Sequence, residues 1–119
     1  MSTRGNEDRL TLLQGTLDLL ILRTLLFGPR HSQAIARAIQ QTSRDELLVE
    51  HGALYPALQR LEAKRWIVAE WGVSTNNRRA RFYTLTRTGK AQLNRETGRW
   101  RRLARAIGSV LDGGTEVIS

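Results

Sequence analysis

Midway along the chain, Leu54, Ala57, Leu58 and Leu61 recur at the spacing of one helical stripe, which predicts a helix from about Gly52 to Arg65. Its opposite face carries Gly52, Tyr55, Pro56, Gln59, Arg60 and Ala63, with Lys64 at the flank. That face is compact at its N-terminal end and polar or basic further along. Pro56 is expected near the helix start, where a missing N–H costs little. Upstream, residues 31–42 predict a second helix, with Ser32 as N-cap, Ala34, Ile35, Ala38 and Ile39 inward, and Gln33, Arg37, Gln40 and Gln41 outward. Before it, Thr16 to Phe27 is apolar at nearly every position except Asp18, Arg23 and Thr24. The capping-box pair Thr11 and Gln14 predicts a helix start, Gly15 interrupts, and Gly28-Pro29 ends the segment. So wide an apolar belt on so short a helix implies burial shared between the core and a second subunit. The joint from Thr42 to Glu50 is acidic at Asp45-Glu46, and Leu47-Leu48-Val49 reads as a candidate short strand.

Alternation then replaces helical spacing. Residues 67–73 predict a strand with Ile67, Ala69, Trp71 and Val73 on one face, and residues 80–85 predict its partner. Between them lie the turn formers of 74–77, then Arg78 and Arg79, with Arg81 two residues on. Thr86 or Thr88 is expected to cap a last helix. Along it Leu93, Trp100, Leu103, Ile107 and Val110 fall on a heptad-like seam, with Glu96 its polar member. With the rest of the core accounted for, that seam predicts packing against a second copy. Arg95, Arg99, Arg101, Arg102 and Arg105 decorate the same helix and read as a solvated flank. Asp112-Gly113-Gly114 is expected to end it. The pattern therefore predicts a mainly α chain with a small β-hairpin: a polar lead-in at 1–10, a winged helix-turn-helix at 11–86, a dimerisation helix at 87–112 and a tail at 113–119.

Charge sharpens this picture. The first 50 residues balance six arginines against six acidic residues, whereas residues 51–119 hold thirteen Lys or Arg against five, so the whole net charge of +8 lies from the central helix onward. A one-sided basic distribution favours a polyanion, and double-stranded DNA is the first choice. The order helix, helix, basic-faced helix, basic hairpin points the same way. A helix of this kind reads the major groove, and a basic hairpin behind it grips phosphates or the adjacent minor groove. A nonspecific architectural role, or a module whose basic face meets an acidic protein, would use the same charge and is the alternative.

Other chemistries find little support. With no cysteine, the 119-residue chain has no disulfide framework and no thiolate metal site. His31 and His51 each precede a helix and share no metal-ligand spacing. No nucleophile elbow, P-loop or dinucleotide fingerprint occurs. No enzymatic activity, metal or cofactor is expected. Apolar runs fall short of the ~20 residues that cross a bilayer, and the polar N-terminus argues against a secretory signal, so a cytoplasmic location is expected.

Several stretches resemble the PadR family of bacterial transcriptional regulators. They are residues 13–22 (LQGTLDLLIL), 52–58 (GALYPAL), Leu61-Glu62 with Trp66-Ile67, Ala69 to Gly72 with Asn76 to Ala80, and Leu85-Thr86 with Gly89. The likeness runs over roughly residues 10–110, and the single last helix is similar to the smaller members. It implies a winged-helix homodimer that represses nearby promoters. Tyr55 is then expected at the DNA surface, the wing basics are Arg78, Arg79 and Arg81, and the first and last helices build the dimer. The expected DNA-contacting set is Ser32, Gln33, Ala53, Tyr55, Pro56, Gln59, Arg60, Lys64, Asn77, Arg78, Arg79 and Arg81. The expected dimer set is Leu13, Leu17, Leu20, Leu93, Trp100, Leu103, Ile107 and Val110. Ala53 replaces a frequent Ser or Thr, and His31-Ser32-Gln33-Ala34 replaces a more common His-Gly-Tyr-Gly; both bear on base readout. Some smaller members hold flat aromatic effectors between aromatic residues at the dimer centre. Trp100 is the seam's one candidate for that, plain dimer packing being the favoured role.

Overall fold

The computed structural model describes the backbone of residues 10–11 and 14–118 and the side chains of residues 14–113. Helix α1 (Gln14–Thr24) runs into a 3-10 turn (Leu25–Phe27) and is followed by α2 (Ser32–Thr42) and α3 (His51–Ala63). Strands β3 (Ile67–Val73) and β4 (Arg79–Leu85) form the hairpin, and α4 (Arg87–Ile118) closes the chain. Two short strands, β1 (Leu10–Thr11) and β2 (Leu47–Leu48), pair in parallel, Leu10 with Leu47 and Thr11 with Leu48. Thr11 is therefore in a strand, not a capping box, because the backbone of the α2–α3 joint offers it a ladder. The remainder of the proposed cap and the lead-in, residues 1–9, 12 and 13, lie outside the described residues, Leu13 among them.

The central stripe packs as its spacing predicts: Leu54, Ala57, Leu58 and Leu61 are all buried. They meet Leu17, Ile21 and Leu22 of α1, Ile35 and Ile39 of α2, and Ile67 and Tyr83 of the hairpin. Leu93 joins the same cluster, 3 % exposed, and Leu17 is 1 % exposed. Both were expected at a subunit interface. Each instead completes the core of one chain, since α4 folds its first turns back against α1 and leaves no surface there for a partner. Leu20 is half-buried against that core.

Local chemistry explains the boundaries. His31, not Ser32, caps α2: its Nδ1 accepts from the Ala34 N–H at 3.2 Å. The α2–α3 joint turns through Arg44 and Asp45, both at positive φ (55° and 66°). There Ser43 Oγ accepts from the Leu47 N–H at 3.1 Å. Helix α3 ends with Arg65 in the left-handed region (φ 63°), where the Trp66 N–H reaches back to the Leu61 carbonyl at 3.1 Å. Pro56 sits in the second turn, further in than expected, because the helix begins at His51. It denies the Gly52 carbonyl its helical N–H donor, and Gly52 is exposed, so water can take that place.

The hairpin runs in register from Ile67 opposite Leu85 to Val73 opposite Arg79. The other edge of β4 carries Arg30, which exchanges two backbone bonds with Tyr83 at 2.9 and 3.2 Å. Thr86 caps α4, its Oγ1 accepting from the Gly89 N–H at 3.0 Å and lying 2.8 Å from the Arg65 carbonyl oxygen. Gly89 is required here, since a Cβ would stand 2.0 Å from the Trp66 carbonyl oxygen. The last helix does not stop at the glycines: it passes through Gly113 and Gly114 to Ile118, its i→i−4 ladder outweighing their low helix propensity.

Candidate nucleic-acid interface

On one side of the molecule the hairpin stands away from α3 and leaves a cleft of about 480 Å³. Because side chains alternate along paired strands, Trp71 and Val73 of β3 share a face with Arg79, Arg81 and Tyr83 of β4. That face is buried at its root, at Ile67 and Tyr83, and opens outward, where Trp71 is 61 % exposed. Tyr55 from the outer face of α3 stands across the cleft, and the N-terminal end of α2 closes it with His31, Ser32, Gln33 and Arg37. Arg78, Arg79 and Arg81 line it from the wing, and among the described residues no Asp or Glu is in the lining.

Four arginines without a lining carboxylate, beside a helix N-terminus, make a site for anionic oxygen. The four are not equivalent. Arg81 Nη2 donates to Glu62 Oε2 at 2.9 Å, so its charge is largely matched within the chain. Arg79 instead lies over the Trp71 ring, 4.8 Å from its centroid, which orients the guanidinium without neutralising it. The hairpin tip is set by Ser74 and Asn77: the Ser74 N–H donates to the Arg78 carbonyl at 2.8 Å, and Asn77 turns at φ 61°. Burial pushes the Tyr83 phenol above its ordinary range, with Arg81 pulling the other way and Glu62 and Tyr55 adding to the rise.

Of the expected contact residues, the cleft gathers Ser32, Gln33, Tyr55, Arg78, Arg79 and Arg81. Pro56 and Gln59 are exposed on α3 outside it, and Asn77 is at the hairpin tip. Lys64 follows α3, with its ammonium 4.7 Å from the Trp66 ring centroid. Two expectations require correction. Ala53 is half-buried and packs on the core, because it lies on the same side of α3 as Ala57. Arg60 turns inward to Asp18 of α1, Nη2 to Oδ1 2.8 Å, a partner that the spacing along α3 does not reveal. Sequence reading overlooked Trp71, Arg37 and His31 as cleft residues. Strand alternation did put Trp71 on one face, but which face met α3 was not visible.

On α4 the seam residues Trp100, Leu103, Ile107 and Val110 are 48–76 % exposed, and Leu111 extends them at 73 %. A groove of about 550 Å³ separates this helix from the start of α1, lined by Gly15, Thr16, Leu19, Trp100, Leu103 and Ala106 with Glu96, Arg99 and Arg102. Among the described residues no helix is long and apolar enough to cross a membrane.

Comparison with known proteins agrees with this architecture. A solved PadR family transcription regulator of Clostridium difficile R20291 is 29 % identical, with a TM-score of 0.67 over 80 % of this chain and 97 % of that one. The PadR family transcriptional regulator of Eggerthella lenta is 25 % identical, with a TM-score of 0.70 over 83 % of this chain and 84 % of its own. An uncharacterised protein of Lysinibacillus sphaericus is 29 % identical over 105 residues, 88 % of this chain and 96 % of that protein. The family model of PadR-like transcriptional regulators matches residues 21–95, which span α1 from Ile21 through the wing and into α4. This winged-helix chain belongs to the PadR-like family of transcriptional regulators.

Proposed function

We propose that the protein is a homodimeric, sequence-specific repressor. The N-terminal half of α3 reads the major groove, and the wing grips the neighbouring backbone or minor groove. The observation that carries this reading is the arginine-lined cleft between Tyr55 and Trp71, free of acidic lining and flanked by the outward face of α3. Dimerisation is supported by the apolar stripe Trp100, Leu103, Ile107 and Val110, too large and regular to be stable in water on a lone helix. Two-fold symmetry then requires a pseudo-palindromic operator with half-sites about one helical turn, ~34 Å, apart.

Selection of bound duplexes from a random pool, followed by competition with scrambled duplex, tests the reading. A specific regulator favours the selected duplex by a factor of ~10³ or more. Equal affinity for both makes the protein a nonspecific architectural binder, and absence of retardation even at low salt makes its basic face a protein-docking surface.

A further inference from the structure

Trp71 is 61 % exposed in mid-strand, an unfavourable place for so large an apolar side chain unless something covers it. Its neighbours indicate what does. The Arg79 guanidinium lies 4.8 Å from its ring centroid, Arg81 is its cross-strand partner, and Tyr55, 54 % exposed, faces it across the cleft. Two wing arginines are thus held in two different ways. Arg81 is oriented by a carboxylate, which spends its charge inside the protein. Arg79 is oriented by a neutral indole, which leaves the full charge available to an incoming anion.

We infer that Trp71 is a DNA-contacting and positioning residue: its indole is the shelf that aims Arg79 at one phosphate, and its uncovered surface packs on the adjacent deoxyribose. An arginine at a hairpin tip otherwise loses rotamer freedom on binding; a guanidinium already resting on a ring loses less. The covered indole surface adds an apolar contact independent of base identity, so Trp71 strengthens binding to all sequences and leaves their ranking to α3. This deepens the DNA-binding reading above and rests on it.

The test uses the full chain and a fluorescein-labelled duplex recovered by selection. Trp71→Leu keeps apolar bulk but removes the aromatic face, and Trp71→Phe keeps a ring. Trp71→Leu should weaken binding roughly threefold to tenfold, with Trp71→Phe recovering most of the loss. Arg79→Ala, costly in the parent, should cost little more on top of Trp71→Leu, since the two act as a unit. A purely structural role is separated by fluorescence. With Trp66→Phe and Trp100→Phe, the emission of the remaining Trp71 should change when duplex is added. If that variant does not fold, the DNA-induced change in the parent minus that in Trp71→Leu gives the same readout. A parent that binds duplex while Trp71→Leu matches it in affinity and emission change overturns this inference alone. A parent that binds no duplex overturns the DNA-binding reading and this inference together.

Discussion

Arg81 of the wing donates to Glu62 in the last turn of α3 at 2.9 Å, so α3 and the hairpin behind it are clasped at one point. Both side chains are about one-third exposed, so water screens the pair and its contribution to folding is at most about 1 kcal/mol. Its effect on binding runs the other way. Glu62→Gln should leave the unfolding midpoint nearly unchanged yet free the Arg81 charge. Binding to scrambled duplex should tighten severalfold, and the dependence of log affinity on log salt should steepen by about one. A salt titration by fluorescence anisotropy checks this; an unaltered slope would mean that Arg81 does not reach the duplex.

The Arg60–Asp18 pair predicts the reverse split. It joins α3 to α1 at 2.8 Å, with side-chain exposures of 32 % and 18 %. Arg60→Ala strands a mostly buried carboxylate and should cost about 1–3 kcal/mol in urea unfolding. The salt slope of DNA binding should stay put, because the guanidinium faces α1. Gln59→Ala, one residue earlier and exposed, should spare stability and alter which selected sequence is preferred.

The proposed dimer contact and the core of the chain use different residues of α4. Ile107 is 49 % exposed and Leu93 is 3 % exposed. Ile107→Glu should yield a folded monomer in sedimentation velocity, with helical circular dichroism retained and operator affinity lost. Leu93→Ala should instead lower the unfolding free energy by about 2–5 kcal/mol, the range for emptying a packed leucine site. A parent that already sediments as a monomer at micromolar concentration would remove the role given to Ile107.

Tyr83 supplies a pH signature. Its phenol is held neutral in the fold chiefly by burial, above its ordinary value of 10.0. Below that value both states keep the proton, and this residue adds no pH dependence. Above it the unfolded chain ionises first, so stability falls as pH rises through the native value, by no more than about 1.4 kcal/mol per pH unit. Unfolding midpoints of the parent and Tyr83→Phe, compared from neutral to alkaline pH, should show this added decline only in the parent.

Much of the scaffold is legible in the sequence. Leu54, Ala57, Leu58 and Leu61 follow a strict helical period, and β3 spans the residues that its alternation predicts, because burial on one face leaves a periodic mark. Relationships between elements leave no such mark. The inward turn of Arg60, the burial of Leu17 and Leu93 within one chain, and the placing of Trp71 and Tyr55 on one cleft all depend on how the elements pack together. The strand at Leu10–Thr11 escaped notice for a similar reason: two residues carry no period, and their partner lies across α1 and α2. Of the cleft, the arginines of the wing were legible as chemistry; their division into a neutralised one and a ring-supported one was not.

Gly89 has a consequence well away from its own surroundings. It seats the root of a 32-residue helix against the Trp66 carbonyl, and at 1.5 Å per residue that helix is a rod of ~48 Å. Tilting such a lever by ~10° sweeps its far tip through ~8 Å. One added methyl group at the fulcrum would therefore be felt most at the outer end, where it would misalign anything joined to the rod.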